Sequence, residues 1–172
     1  LLGNEQRKKL SKRRDPVALE MYRDQGYLPE AMRNFLMLLG WSPADDAEVV
    51  PFEVVMEQFR LEDVNSSPAY FDVTKLRAIN GQYLRALSVA EFVERSMPWV
   101  TGPDVPWAPE RFDPAMYAAI VPVIQERVLV FSEIPATIDF LFADPVIDEA
   151  AWTKTMGTDT ARAMLTAAAD AL

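Results

Sequence analysis

Helix-starting punctuation followed by apolar residues at helical spacing recurs along the whole chain, and this pattern limits the fold more than any other feature. Pro29 precedes Ala31, Met32, Phe35, Leu36 and Leu39, which follow the 3.6-residue period until Gly40 closes the run. Pro51 opens a run carrying Phe52, Val55, Met56 and Phe59 on one face. Asp72 stands ahead of Val73, Leu76, Ile79, Tyr83 and Leu84, and Ser88 with Glu91 three positions on makes a capping box. Asp15-Pro16 and Asp113-Pro114 each pair an acidic N-cap with a proline at the first helical position. These signals predict helices over 17–24 (closed by Gly26), 29–39, 52–59, 73–84, from 88 onward, 113–131 with Pro122 kinking or dividing it, 132–142, 148–156 and 158–172. The stretch 98–109 holds four prolines with Trp99 and Trp107, and reads as a stiff connection whose tryptophans pack back on the helices. Alternating strand patterns of useful length and fixed-period repeats are both lacking, and Gly3-Asn4 after Leu1-Leu2 suggests the turn of a short hairpin. The expected fold class is all-α, a multi-helix bundle.

Composition narrows the chemistry. Half of the 172 residues are hydrophobic and 25% are charged, which suits a packed core rather than general disorder. Without cysteine or histidine the chain offers no disulfide, thiolate nucleophile or imidazole base, and no ligand set of the zinc-finger kind. The net charge of -9 is unevenly placed: residues 1–14 carry six basic side chains against one acid, so the remainder is strongly acidic. An acidic body disfavours nonspecific nucleic-acid binding and gives no reason to expect DNA as a partner. RNA contact would use the basic arm and local Arg/Lys patches. No signal-peptide pattern or bilayer-length apolar run is present, so a cytoplasmic location without a membrane partner is expected.

The basic arm contains Lys9-Leu10-Ser11-Lys12-Arg13. Two ammonium groups three positions apart around a small hydroxyl residue make a workable clamp for phosphate charge, such as the charge that builds on a pyrophosphate leaving group. A solvated basic arm, or a localisation or phosphorylation signal, would read similarly. The pentapeptide resembles the KMSKS signature of class I aminoacyl-tRNA synthetases. The downstream residues strengthen the likeness. The stretch 22–36, from Tyr22-Arg23-Asp24-Gln25-Gly26-Tyr27-Leu28-Pro29 to Asn34-Phe35-Leu36, and then Leu38-Leu39-Gly40-Trp41-Ser42, is similar to the segment after that loop in bacterial glutamyl-tRNA synthetases. Phe71-Asp72 with Lys75-Leu76, Asn80 and Tyr83-Leu84 resembles a second block of that family. Gln125-Glu126-Arg127-Val128 with Phe140-Leu141-Phe142 resembles its first anticodon-binding helices. The resemblance covers about residues 1–145, with the blocks in order.

The resemblance implies that Lys12 binds ATP with Ser11 and Leu10, and that Lys9 and Lys12 act in catalysis. Arg13 stands where the signature's name has serine, a variant common in glutamyl enzymes. It further implies tRNA(Glu), ATP and L-glutamate as partners, Mg2+ with the ATP, and a monomer. The family's Rossmann-type domain with its HIGH-type motif is not seen in this sequence. The sequence is therefore expected to be the C-terminal portion of a longer enzyme: 1–14 the KMSKS loop ending the catalytic domain, 15–87 a stem-contact helical domain, and 88–172 the start of a helical anticodon-binding cage. Isolated, this portion is expected to be inactive. A stand-alone, non-catalytic tRNA-binding or adaptor module is the alternative, and a helical interaction domain with a basic tail is a third.

Other residues carry two readings each. Lys75, Arg77 and Arg85 lie at helical spacing and either meet tRNA phosphates or solvate a face. Arg127 either reads an anticodon base or pairs with Glu126 or another acid. Trp41 plugs a core or stacks on RNA, and Asn80 makes a buried hydrogen bond or contacts RNA. Asp45-Asp46 reads as a solvated turn rather than a metal site, and no metal ligands are evident.

Overall fold

A computed structural model describes residues 2–3, 18–43, 45–144 and 146–171. Two-residue strands β1 (Leu2–Gly3) and β2 (Ala69–Tyr70) pair in parallel, with Leu2 opposite Ala69 and Gly3 opposite Tyr70. The turn of the hairpin expected at Gly3-Asn4 lies outside the described residues, and Leu2–Gly3 pairs with a segment distant in sequence. The helices are α1 (Leu19–Asp24), α2 (Pro29–Leu38), α3 (Phe52–Gln58), α4 (Val73–Ala86), α5 (Val89–Val100), α6 (Pro114–Ile124), α7 (Ile134–Phe142), α8 (Glu149–Met156) and α9 (Asp159–Ala171). Short 3-10 turns lie at Leu61–Asp63, Pro109–Arg111 and Phe131–Glu133. Among the described residues the fold is all-α apart from the two-residue pairing.

Local cap chemistry sets many of the boundaries. The Asp72 carboxylate accepts from the Lys75 N–H at 3.0 Å, Asp113 accepts from the Ala115 and Met116 N–H groups, and Asp148 accepts from that of Ala151. Ser88 and Glu91 complete the capping box in both directions. Other boundaries move. Ala18 is extended and caps α1, so that helix begins at Leu19 rather than at 17, and Asp15-Pro16 lies outside the described residues. The connection expected from 98 is shorter, because α5 runs through Pro98 to Val100. Near a helix end, the missing proline N–H removes only one ladder bond. Helix α6 contains Pro122 but stops at Ile124 instead of 131, and α7 starts at Ile134 instead of 132. Gln125 caps α6 with its N–H on the Val121 carbonyl, while its buried side-chain amide donates to the Leu84 and Leu87 carbonyls at 2.7 and 2.8 Å. Those carbonyls stand at the end of α4, where that of Leu84 also accepts from the Leu87 N–H at 3.2 Å.

One hydrophobic cluster runs from α1 to α7. Phe35, Leu76, Ile79 and Leu84 bury the α2–α4 side, and Phe92, Tyr117, Val121 and Ile138 bury the α5–α6–α7 side. Phe131 lies between them, edge-on to Phe92 at 5.3 Å and tilted on Trp99 at 5.1 Å. Trp41 is buried against Phe59, and Trp107 is buried with its indole N–H on the Val100 carbonyl. Beyond residue 145 the picture changes: α8 and α9 bury no residue.

Candidate functional site

Lys9, Leu10, Ser11, Lys12 and Arg13 lie outside the described residues. Both described flanks of that segment are fastened to the body. On the upstream side, the Gly3 carbonyl accepts from the Phe71 N–H at 3.0 Å. The Phe71 ring then meets Phe35 edge-on at 4.9 Å and Tyr22 of α1 at 5.8 Å. On the downstream side, α1 ends in a Schellman turn: the Tyr27 N–H reaches the Tyr22 carbonyl at 3.0 Å, and the Gly26 N–H reaches that of Arg23 at 2.9 Å. Gly26 sits at φ +83°, and a Cβ there would lie 2.5 Å from the Phe131 Cβ. Glycine is required on both counts. Gly3 and α1, the described residues on either side of the basic segment, are therefore linked through one aromatic group, Tyr22–Phe71–Phe35.

The turn after α1 docks on the segment that opens α7. Phe131 and Ser132 donate their N–H groups to the Gly26 and Gln25 carbonyls at 3.3 and 3.2 Å, and the Trp99 indole N–H donates to the Asp24 carbonyl at 3.1 Å. Asn80 is fully buried. Its carbonyl oxygen accepts from the Leu28 N–H at 2.8 Å, while its amide nitrogen donates to the Leu129 carbonyl at 2.6 Å. That is the buried hydrogen-bonding reading of Asn80. Glu133 joins the same seam by pairing with Arg77 and accepting from the Leu129 N–H at 2.7 Å. Burial pushes the Glu133 carboxyl up, but the Leu129 N–H, Arg77 and the Val130 N–H outweigh it and hold the pKa below the usual carboxylate range. Glu30 of α2 and Arg95 of α5 add a 3.0 Å pair across the same junction. A largely apolar groove of about 660 Å3 runs beside α1, lined by Leu19, Met32, Leu36 and Trp99 among others.

The four cations expected to meet tRNA differ in their partners. Lys75 pairs with Glu48 at 2.9 Å, and Arg77 is committed to Glu133. Arg85 is half-buried and Arg127 is exposed; neither makes an ion pair among the described residues. The pairing of Arg127 with Glu126 is thus not formed. Asp45 and Asp46 are exposed in a turn, with Asp46 at φ +55°. Among the described residues, no group of three His, Cys, Asp or Glu side chains is placed to hold a metal ion, and no helix is long and apolar enough to cross a membrane. The seam residues Glu30, Arg95, Gln125 and Glu133 were not predicted as a group. Their partners lie far away in sequence, and no local pattern announces them.

Comparison with known proteins agrees with this layout. Residues 1–78 match the family model for the catalytic domain of class I tRNA synthetases (E and Q), and residues 91–172 match the model for an anticodon binding domain. The chain is 60% identical over 158 residues to the glutamate–tRNA ligase of Salinispora arenicola, covering 89% of this chain and 34% of that protein. It is 56% identical over 169 residues to that of Thermobifida fusca, covering 98% and 35%. The crystal structure of a glutamate tRNA ligase from Elizabethkingia meningosepticum, in complex with its amino acid, superposes with a TM-score of 0.77 at 29% identity, over 96% of this chain and 36% of that one. The chain spans about a third of the length of the curated relatives it matches. The chain thus carries a match to the catalytic domain of class I tRNA synthetases (E and Q) followed by a match to an anticodon binding domain, and the relatives and the solved structure it resembles are glutamate–tRNA ligases.

Proposed function

We propose that this chain is the part of a bacterial glutamate–tRNA ligase that leads from the ATP-phosphate loop into the anticodon-binding helices. In the reaction, a glutamate carboxylate oxygen attacks the α-phosphorus of ATP, the bond to the β-phosphate breaks, and pyrophosphate leaves. The glutamyl group of the resulting adenylate then passes to the tRNA 3′ end. Lys12, with Lys9, neutralises the negative charge that grows on the pyrophosphate, and Ser11 and Leu10 shape the loop around the phosphates. Mg2+ is expected with the ATP, and no described residue is assigned to it. The proposed setting is cytoplasmic and monomeric, with the ATP and glutamate pocket supplied by the rest of the enzyme.

For tRNA, Arg85 and Arg127 are the first candidates, because Lys75 and Arg77 already hold carboxylates. The 15–87 region is proposed to meet the tRNA stem, and the region from 88 to meet the anticodon arm. The observation that carries the whole reading is the basic motif at 9–13 inside the catalytic-domain match, followed directly by the anticodon-domain match.

The test is aminoacylation of tRNA(Glu) with labelled glutamate. A full-length enzyme containing this chain is expected to charge the tRNA, and residues 1–172 alone to bind it without turnover. Charging by the isolated chain, or none by the full-length protein, would contradict the proposal. In salt titrations of tRNA binding, Arg85→Gln and Arg127→Gln should each flatten the log–log slope by about one. A stand-alone module would instead bind tRNA and remain inactive in every form.

A further inference from the structure

Among α1 to α7, helix α3 alone buries no residue, although Met56 and Phe59 follow a helical period. Its apolar side instead walls a groove of about 670 Å3, with Leu36 and Trp41 from the α2 end on the other flank. Leu36, Met56, Phe59, Leu61 and Val64 all line this groove and are between 39 and 76% exposed. Soluble chains seldom leave so many large apolar side chains uncovered in one place. The charges beside it are of one sign. The stretch 55–64 carries Glu57, Glu62 and Asp63 against Arg60, whose guanidinium donates to the Glu57 and Phe59 carbonyls at 3.0 and 2.8 Å. The turn after Trp41 adds Asp45 and Asp46. All five carboxylates are exposed, and none makes an ion pair among the described residues.

We propose that the groove between α2 and α3 is a docking site for a basic amphipathic helix of another protein. Apolar anchors on one face of such a helix would fill the groove, while Lys and Arg beside them met the carboxylates. The same carboxylates repel a phosphate backbone, so tRNA is the wrong occupant. The proposal goes beyond the ligase reading and does not depend on it.

The experiment uses the full-length enzyme containing this chain and two fluorescein-labelled synthetic helical peptides. Both carry leucines at i, i+3, i+4 and i+7, flanked in one by Lys and Arg and in the other by Glu. By anisotropy at low salt, the basic peptide should bind at least roughly tenfold tighter than the acidic one, and the preference should shrink as salt rises. Met56→Ser and Leu61→Ser, both at exposed positions, should each weaken the basic peptide by roughly tenfold. Glu57→Lys combined with Glu62→Lys should turn the preference toward the acidic peptide. No binding of the basic peptide, equal binding of the two, or no effect of the serine variants overturns the proposal. A Met56→Cys enzyme tests the other occupants. Its added thiol should react with a maleimide, above the parent background, as fast as the same substitution at exposed Gln82, with or without tRNA(Glu). Slow labelling without tRNA would show that the rest of the enzyme covers the groove. Protection by tRNA would make the groove an RNA contact. Either result overturns the proposal.

Discussion

Residues 19–142 and residues 146–171 are both helical, yet they are held by different forces. In the first region Phe35, Leu76, Phe92, Tyr117 and Ile138 are essentially inaccessible, and buried amides and half-buried carboxylates tie elements that lie far apart in sequence. In the second, α8 and α9 bury nothing: Val146 is 99% exposed and Trp152 is 47% exposed. Helix α9 owes its shape to alanine-rich local preference and α8 to its Asp148 cap, whereas α4 and α5 owe theirs to a core. The apolar stripe of Ala161, Met164, Leu165 and Ala168 is as periodic as that of α2, but only α2 has a neighbour to cover its stripe. Periodicity reports which face wants burial and says nothing of whether burial occurs.

This contrast makes four testable demands. The largest effect is expected at Gly26, where a side chain meets both a positive φ and the Phe131 backbone. Gly26→Val should cost about 4 kcal/mol or more in urea unfolding, the range reached when strain and a clash combine. A near-neutral result would mean that the α1 turn is not seated on Phe131. Next comes Asn80→Ala, which strands the Leu28 N–H and the Leu129 carbonyl in the core. Roughly 2–4 kcal/mol should be lost by the same measure. A loss no larger than that of an exposed control such as Gln82→Ala would remove Asn80 from the seam.

A smaller effect is expected in acid. Glu133 and Glu30 titrate below their ordinary value of 4.5 in the folded chain, both against the opposing pull of burial. Their contribution is therefore fully present above pH 4.5 and is lost as pH falls through the lower folded values. Thermal melts across that window should show a steeper fall for the parent chain than for Glu133→Gln; identical slopes would deny the carboxylate its part. The smallest effect belongs to the second region. A chain ending at residue 145 should unfold within about 0.5 kcal/mol of the whole. A large loss would show that α8 and α9 are packed after all.

How much could be read in advance depends on the range of each interaction. Caps act over two or three residues, so Asp72, Ser88 with Glu91, and Asp113 announced their helices correctly. The basic motif and the blocks around Gly26, Asn80 and Gln125 were legible as a family pattern. Their physical roles were less so. Asn80 reaches partners 52 and 49 positions away, and Arg77 finds Glu133 at a separation of 56. Helical spacing alone put Arg77 on one face with Lys75 and Arg85, whereas the fold turns it into a brace across the seam. Gln125 is a further case: its side-chain amide reaches the Leu84 and Leu87 carbonyls at the end of α4, 41 and 38 positions away, a partnership that no local pattern records.

Residues 19–142 form one unit in which the α1 turn is locked to the anticodon-side helices, and native-state amide hydrogen exchange on the isolated chain tests this most directly. The N–H groups of Leu28, Phe131 and Ser132 should exchange only with the global opening, at the same free energy as core amides of α4 and α5, while amides of α8 and α9 exchange far faster. Seam amides that open well below the global free energy, with α4 and α5 still protected, would show two halves moving independently and would contradict the lock.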